Sequence, residues 1–230
     1  MYRLFIANKN YSSWSLRPWA VLREQGIAFE ERLVPFAGAD NWDEFRAFAP
    51  NGKVPCLVDG DTVVWDSLAI VEYLAERHAG VWPDDARARA WARCAAAEMH
   101  AGFGSLRGTC TMNCGLRVRL HGVSDALARD IERIDELWTD GLRRFGGPFL
   151  AGSSFTAADA FFAPVAFRVQ TYGLVLGEPA AAYAQRLLAT AALRRWQDEA
   201  LAEPWRESAH EADALQVGDV IGDLRAPLPG

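Results

Sequence analysis

The first 78 residues alternate short apolar runs with helical segments, and this alternation limits the fold more than any other feature. The apolar runs typical of strands are Tyr2–Ala7, Phe29–Val34, Cys56–Val58 and Thr62–Trp65. The segments with helical patterning and end signals are Ser13–Gln25, Asp40–Ala49 and Ser67–Arg77. The turn Asp59-Gly60-Asp61 joins the last two runs and predicts a hairpin. The order βαβαββα predicts a small mixed sheet covered by helices, which is a thioredoxin-like domain.

The rest of the chain has a different sequence pattern, and no strand is predicted after residue 85. Helical patterning predicts helices at 86–101, Asp125–Phe145, Thr156–Tyr172, Ala180–Ala189 and Ala191–Leu201. We therefore predict a thioredoxin-like domain over residues 1–78, a linker over 79–85 and an all-helical domain over 86–230.

Composition excludes several classes of function. The chain has 230 residues and a net charge of −6, which argues against general nucleic-acid binding. No apolar run approaches the ~18 residues that a membrane span needs. The four cysteines include no C-x-x-C pair, so neither a zinc ribbon nor a dithiol pair is indicated, and no metal is expected. These features favour a reduced, cytoplasmic protein. Both lysines, Lys9 and Lys53, lie in the first part of the chain.

A serine-rich turn separates the first predicted strand from the first predicted helix, with the sequence Tyr11-Ser12-Ser13-Trp14-Ser15-Leu16-Arg17. Such a turn presents free backbone N–H groups and the positive end of a helix dipole, which stabilise anions and thiolates. A serine hydroxyl there can donate a hydrogen bond to a bound thiolate. The alternative is that the serines only cap the helix.

Two further motifs each have a structural and a functional interpretation. Lys53-Val54-Pro55 is either a loop ending in a strand-initiating proline, or a cis Val54–Pro55 bond that leaves the Val54 backbone free to pair with an extended peptide. Ser67 can cap the third helix, while the N–H groups there can bind a carboxylate and Asp66 can accept an ammonium group.

The segment Thr156-Ala157-Ala158-Asp159 matches the capping-box pattern at the start of a very apolar helix. We expect it to matter for folding and not for chemistry.

In this order and spacing, the motifs resemble the cytosolic glutathione S-transferases over nearly the whole chain. The matching elements are Ser12-Ser13-x-Ser15-x-Arg17, Pro50-x-x-Lys53-Val54-Pro55, the run 66–74, and Phe155-Thr156-Ala157-Ala158-Asp159. The serine motif is most similar to the zeta class, which includes maleylacetoacetate isomerases.

The resemblance implies a role for each motif. Ser12 would stabilise the glutathione thiolate, with Ser13 as the competing candidate, and Trp14 would stand beside the bound peptide. Lys53 would reach the glycyl carboxylate, and Val54 would pair with the cysteinyl part of glutathione, held by a cis Pro55. Asp66 and Ser67 would hold the γ-glutamyl ammonium and carboxylate groups.

Two departures from the zeta pattern affect the expected chemistry. Trp14 occupies the position of a cysteine, which argues against an enzyme that forms a mixed disulfide with its own thiol. The arginine that would hold an acidic substrate has its nearest counterpart in Arg168, about one helical turn early; the alternative is an arginine at a helix end. The second-substrate pocket is expected between Asn8, Tyr11 and Trp14 on one side and the first long helix on the other, where Met99, Phe103 and Leu106 recur at roughly helical spacing. Such a stripe is more often plain core packing than a pocket lining.

The resemblance implies a glutathione transferase that conjugates a small hydrophobic electrophile, with glutathione as cosubstrate and a homodimer as the assembly. A glutathione-dependent cis–trans isomerase and a non-catalytic binding or regulatory protein of the same fold are the alternatives.

Overall fold

The computed structural model describes residues 1–36 and 41–227. The N-terminal part contains β1 (Tyr2–Ile6), α1 (Ser13–Glu24), β2 (Phe29–Leu33), α2 (Trp42–Arg46), β3 (Cys56–Asp59), β4 (Thr62–Trp65) and α3 (Ser67–Ala75). This is the predicted βαβαββα order. The predicted helix at Asp40–Ala49 is represented by α2, while Asp40 itself lies outside the described residues.

The four N-terminal strands form one mixed sheet in the order β2-β1-β3-β4. β1 pairs in parallel with β2, from Tyr2 opposite Phe29 to Ile6 opposite Leu33, and β3 pairs antiparallel with both β1 and β4. Leu4 and Ile6 are completely buried because alternate residues of a strand share one face. The predicted thioredoxin-like domain is confirmed.

The second part is built mainly of helices. They are α4 (Ala86–Ala101), α5 (Gly104–Thr109), α6 (Asp125–Phe145), α7 (Ala157–Tyr172), α8 (Glu178–Leu188), α9 (Ala191–Ala202) and α10 (Ser208–Val217). The predicted helical domain is confirmed, while α5 and α10 were not predicted. The sequence boundaries 1–78, 79–85 and 86–230 stay a prediction.

The expectation of no strand after residue 85 is wrong. β5 (Leu116–Leu120) and β6 (Gly218–Asp223) form a two-stranded antiparallel sheet. β5 alternates buried Leu116 and Val118 with more exposed arginines, but the segment is short and follows a glycine- and cysteine-rich stretch. β6 is mostly exposed and contains two glycines and two aspartates, so its strand form depends on pairing with β5 rather than on propensity.

Helix α7 is the centre of the helical domain, and its first turn contains the predicted capping box. The Asp159 carboxylate is completely buried and accepts hydrogen bonds from the Thr156 N–H at 2.8 Å, the Leu150 N–H at 3.0 Å and the Tyr183 hydroxyl at 2.8 Å. It thereby joins the start of α7 to the preceding loop and to α8.

Replacing Asp159 with alanine should strongly destabilise the helical domain. The variant leaves three buried donors without their acceptor, so we expect the free energy of unfolding to fall by more than about 3 kcal/mol. Urea unfolding followed by tryptophan fluorescence measures this. Asp125→Ala, at the exposed first turn of α6, is the matched control and should cost less than about 1 kcal/mol. Equal losses in the two variants would contradict the central role of Asp159.

Candidate active site

The turn between β1 and α1 brings the two candidate serines to the N-terminus of α1. Ser12 is buried, and its hydroxyl donates a hydrogen bond to Ser15 Oγ at 2.7 Å. Ser15 Oγ also accepts from the Ala7 N–H at 3.3 Å. Ser13 is partly exposed, and within residues 1–36 and 41–227 its hydroxyl has no hydrogen-bond partner. The first turn of α1 contains no acidic residue, so the positive end of its dipole is not neutralised locally.

The helical domain holds this turn from behind. The buried Glu203 carboxylate accepts from the Lys9 N–H at 2.6 Å and the Asn10 N–H at 3.2 Å. Trp196 Nε1 donates to the Lys9 carbonyl at 2.8 Å. The Lys9 ammonium group is itself buried and forms ion pairs with Glu31 and, at 2.5 Å, with Glu199. Lys9 therefore positions the turn from beneath and does not face a ligand.

A cavity of about 840 Å³ opens in front of the serines. Ser12, Ser13, Trp14, Lys53 and Val54 form its N-terminal wall. A second wall comes from the unpredicted α5 and from α7, and its members are Gly104, Arg107, Gly108 and Arg168. A third wall comes from the C-terminal segment, which is α10 with its N-cap residue Glu207, and it includes Glu207 and His210.

Seven of the residues singled out in the sequence line this one cavity: Tyr11, Ser12, Ser13, Trp14, Lys53, Val54 and Arg168. The Val54–Pro55 peptide bond is cis, as the resemblance implies. Lys53 is exposed, and Pro55 is buried behind Val54. The Tyr11 hydroxyl donates to the Glu211 carboxylate at 2.7 Å, and burial together with that hydrogen bond raises the pKa of Tyr11 to about 12.

Asp66 and Ser67 are not among the residues that line the cavity. The cap of α3 is Asp66 and not Ser67, because Asp66 Oδ1 accepts from the Leu68 N–H at 3.0 Å. The side chain of Asp66 is 45% exposed, and His100 Nε2 lies 3.7 Å from Asp66 Oδ1. Ser67 is completely buried.

The structure does not bring Asn8, Met99 and Phe103 to the cavity wall. Asn8 is buried and its Oδ1 accepts from the Phe36 N–H at 2.7 Å, so it supports the wall from behind. Met99 and Phe103 are buried in the core, in agreement with the packing alternative. α5, which follows Phe103, takes the place expected for them.

Sequence reasoning assigned no role to two arginines beside Trp14. The Arg17 guanidinium lies 4.1 Å from the Trp14 ring centroid, and that of Arg107 lies 4.9 Å from it. Arg17 Nε and Nη1 are buried without an acceptor in the described part of the chain. Burial, together with the charges of Arg168 and Arg107, lowers the pKa of Arg17 to about 9, while Asp66 opposes this. Arg17 belongs to the serine motif, so its position in the sequence was the available signal.

The cysteines lie away from the cavity wall. Cys56, Cys110 and Cys114 are buried free thiols, and Cys94 is exposed. Burial raises the pKa of Cys56 to about 11 and that of Cys110 to about 12. Among residues 1–36 and 41–227, no group of three or more His, Cys, Asp or Glu side chains is arranged to hold a metal ion. In the same ranges, no helix has the length and apolar character to cross a membrane.

Two family models match the chain, one to each part. Residues 11–77 match the glutathione S-transferase N-terminal domain, and residues 120–207 match the glutathione S-transferase C-terminal domain. Glutathione S-transferase 3 of Zea mays is 31% identical over 160 residues, which is 63% of this chain and 68% of the maize protein. The chain belongs to the glutathione S-transferase family.

Further comparisons bear on class and fold. The chain is 39% identical to glutathione S-transferase Z1 of Arabidopsis thaliana, but only over 75 residues, which is 30% of this chain and 34% of the plant protein. A glutathione transferase homolog from Burkholderia gl BGR1, solved with bound glutathione, superimposes with a TM-score of 0.66 at 22% identity. That superposition covers 86% of this chain and 97% of the other, and it supports the fold.

The stability of this protein should depend on pH through Glu203. Burial raises the pKa of Glu203 to about 7, despite the hydrogen bonds from the Lys9 and Asn10 N–H groups. The folded state therefore binds a proton that an unfolded glutamate, with a pKa of about 4.3, has already lost at neutral pH. Stability should fall as pH rises from about 4.5 to about 8, because the buried carboxylate then becomes charged.

The Glu203→Gln variant mimics the protonated form and should flatten this pH profile. The unfolding free energy of the variant minus that of the wild type should increase by about 2–3 kcal/mol from pH ~4.5 to ~8, because only the wild type loses stability over this range. Urea unfolding at a series of pH values measures the difference. Glu178→Gln, at an exposed glutamate, should leave the profile parallel to that of the wild type. A parallel profile for Glu203→Gln would contradict the prediction.

Proposed function

We propose that this protein is a serine-type glutathione transferase that joins the glutathione sulfur to a small electrophile. The supporting observation is the convergence of the α1 N-terminus, Ser12 and the Val54 backbone on one cavity that also faces Arg107 and Arg168. In a chain of net charge −6, this local positive field favours an anionic ligand. Glutathione, with two carboxylates and an ionisable thiol, has the matching charge.

Thiolate formation is the first requirement. A free thiol has a pKa of about 8.5, and lowering it by two units needs about 2.7 kcal/mol. One charge-assisted hydrogen bond and a helix N-terminus together supply energy of this order. We assign the hydrogen bond to Ser12, with Ser13 as the alternative. Because hydroxyl protons rotate, Ser15 can donate to Ser12 and leave the Ser12 proton for the sulfur.

The remaining polar residues would orient the tripeptide. Lys53 is exposed at the cavity wall and would pair with the glycyl carboxylate. Val54 would pair its backbone with the cysteinyl part, and the start of α3 at Asp66 and Ser67 would receive the γ-glutamyl end. Holding the thiolate next to the second substrate supplies much of the expected rate gain.

The second substrate would occupy the space between Trp14 and the wall formed by α5 and α7. The cationic lining there favours an electrophile that has a carboxylate. This observation also supports the second candidate function, a zeta-like cis–trans isomerase of an unsaturated diacid, in which the thiolate adds, a bond rotates and glutathione leaves unchanged. We propose a cytoplasmic location and a two-fold homodimer for either enzyme.

A non-catalytic binding protein of the same fold is the third candidate. It would show no conjugation and no shift of the thiol pKa in a difference spectrum. Absence of retention on immobilised glutathione, together with absence of that pKa shift, would contradict both enzyme candidates and leave this one.

Single alanine variants identify the serine that contacts the thiolate. We expect Ser12→Ala to lower kcat/KM by about 100-fold, the scale found on removing one donor to a developing anion. Ser13→Ala should change it by less than threefold. Both are measured with glutathione and a halo-aromatic electrophile. The reverse order of effects would assign the thiolate contact to Ser13.

An arginine variant tests the class of electrophile. Arg168→Gln should raise KM for a maleyl-type diene acid by at least about tenfold, because a charge-assisted contact of 1.4 kcal/mol or more is lost. The same variant should change KM for a neutral halo-aromatic by less than threefold. Arg186→Gln, at a residue outside the cavity, is the matched control. Equal effects of Arg168→Gln on both substrates would show that Arg168 acts only through packing.

A further inference from the structure

A histidine and a glutamate of the C-terminal segment form a close pair in the cavity wall opposite the serines. His210 Nδ1 lies 2.6 Å from Glu207 Oε2, and both residues line the cavity. The Glu207 side chain is only 6% exposed, whereas that of His210 is 32% exposed. Neither residue was singled out by the sequence.

The Glu207 carboxylate is fixed in place and ionised. It accepts from the Ala209 N–H at 3.1 Å and the His210 N–H at 2.8 Å, which caps α10. Although burial acts to raise it, the hydrogen bonds from the His210 backbone and ring and from the Ala209 backbone hold the pKa of Glu207 below its usual range. An ionised carboxylate only accepts, so Nδ1 must be the donor. In the neutral imidazole, Nε2 then has the free lone pair.

Two aromatic rings fix the plane of the imidazole. The Tyr11 ring stacks on His210 with a centroid distance of 5.0 Å, and the Phe36 ring stacks with a distance of 5.3 Å. Both rings therefore pack against the imidazole, and Glu207 occupies its Nδ1 edge. Within the described ranges, Nε2 has no hydrogen-bond partner. Tyr11 directly precedes Ser12, and both residues line the same cavity as His210.

We propose that His210 Nε2, oriented by Glu207, is the base that takes the thiol proton of bound glutathione. The inference rests on the proposed glutathione-transferase function and deepens it. The S–H bond breaks, its electron pair stays on sulfur, and the proton goes to Nε2. The imidazolium is stabilised by the Glu207 carboxylate, which does not take the proton, and it later releases the proton to solvent. Ser12 then donates a hydrogen bond to the resulting thiolate. The histidine therefore accepts the proton, and the serine stabilises the anion that remains.

Other charged and titratable groups lie on the elements around His210. They are Glu207, Glu211 and Asp213 on the same segment, Tyr11 on the serine turn, Arg225 next to Tyr11, and Lys53 across the cavity. Glu203 lies behind the serine turn. For this reason the test compares whole pH profiles of variants that change only the His210–Glu207 pair.

The test measures kcat/KM for glutathione from pH ~5.5 to ~9.5 in the full chain, with a neutral halo-aromatic electrophile. His210→Phe keeps a flat ring in contact with Tyr11 and Phe36 but has no base, so kcat/KM at neutral pH should fall by about 100-fold, the lower end for general base catalysis. The deficit should shrink as pH rises past about 8.5, where a free thiol ionises unaided. Glu207→Gln should move the rise of kcat/KM with pH to higher pH as well, but by less than His210→Phe does. His121→Phe removes a second histidine–carboxylate pair, with Asp219 at 3.2 Å, whose members do not line the cavity, and should behave as wild type.

Binding of S-methylglutathione, measured by calorimetry, separates chemistry from structure because this ligand has no thiol proton. We expect its affinity for His210→Phe to stay within threefold of the wild type. The proposal is overturned if His210→Phe keeps the wild-type pH profile. It is also overturned if His210→Phe no longer binds S-methylglutathione while His210→Gln, which also has no base, remains active. If the wild type itself neither binds glutathione nor turns over, the proposed function fails instead, and the two failures are distinguishable.

Discussion

The buried Glu203 carboxylate is the contact on which the site depends. It accepts from consecutive backbone N–H groups of the serine turn, at Lys9 and Asn10, across nearly 200 residues of sequence. A carboxylate this deeply buried is costly unless its oxygens are satisfied, so the turn and α9 stabilise each other. The position of Ser12 is therefore set jointly by the sheet that precedes it and by the helical domain behind it.

Much of the fold could be predicted because its signals are local. The α6 periodicity and the capping box at Thr156–Asp159 place two helices of the second domain, and turn chemistry gives the β3–β4 hairpin. β6 could not be predicted, because its exposed, glycine-containing sequence adopts strand form only beside β5, about 100 residues away. The small helix α5 is too short for periodicity to reveal.

The residues of the candidate site also divide into those that a local sequence pattern reveals and those that only the fold brings together. Ser12, Lys53 and Val54 belong to motifs whose residues are adjacent in sequence, so a pattern can reveal them. The arginines around Trp14 and the His210–Glu207 pair come from α1, α5, α7 and the C-terminal segment, and only packing brings them together. Charge shows the difference clearly: a net charge of −6 gives no hint that one wall of the cavity is cationic.

The wall that contains His210 is anchored differently from the other two. α10 has a single buried residue, Ala214, and it is tied down by the Tyr11 and Arg225 contacts to Glu211 and by the pairing of β6 with β5. It also lies beyond residue 207, where the match to the family's C-terminal domain ends. Apart from the His210–Glu207 pair, its cavity-facing side chains, Ala209 and Asp213, can therefore be exchanged with little repacking of the core, which leaves this part of the wall open to divergence in substrate choice.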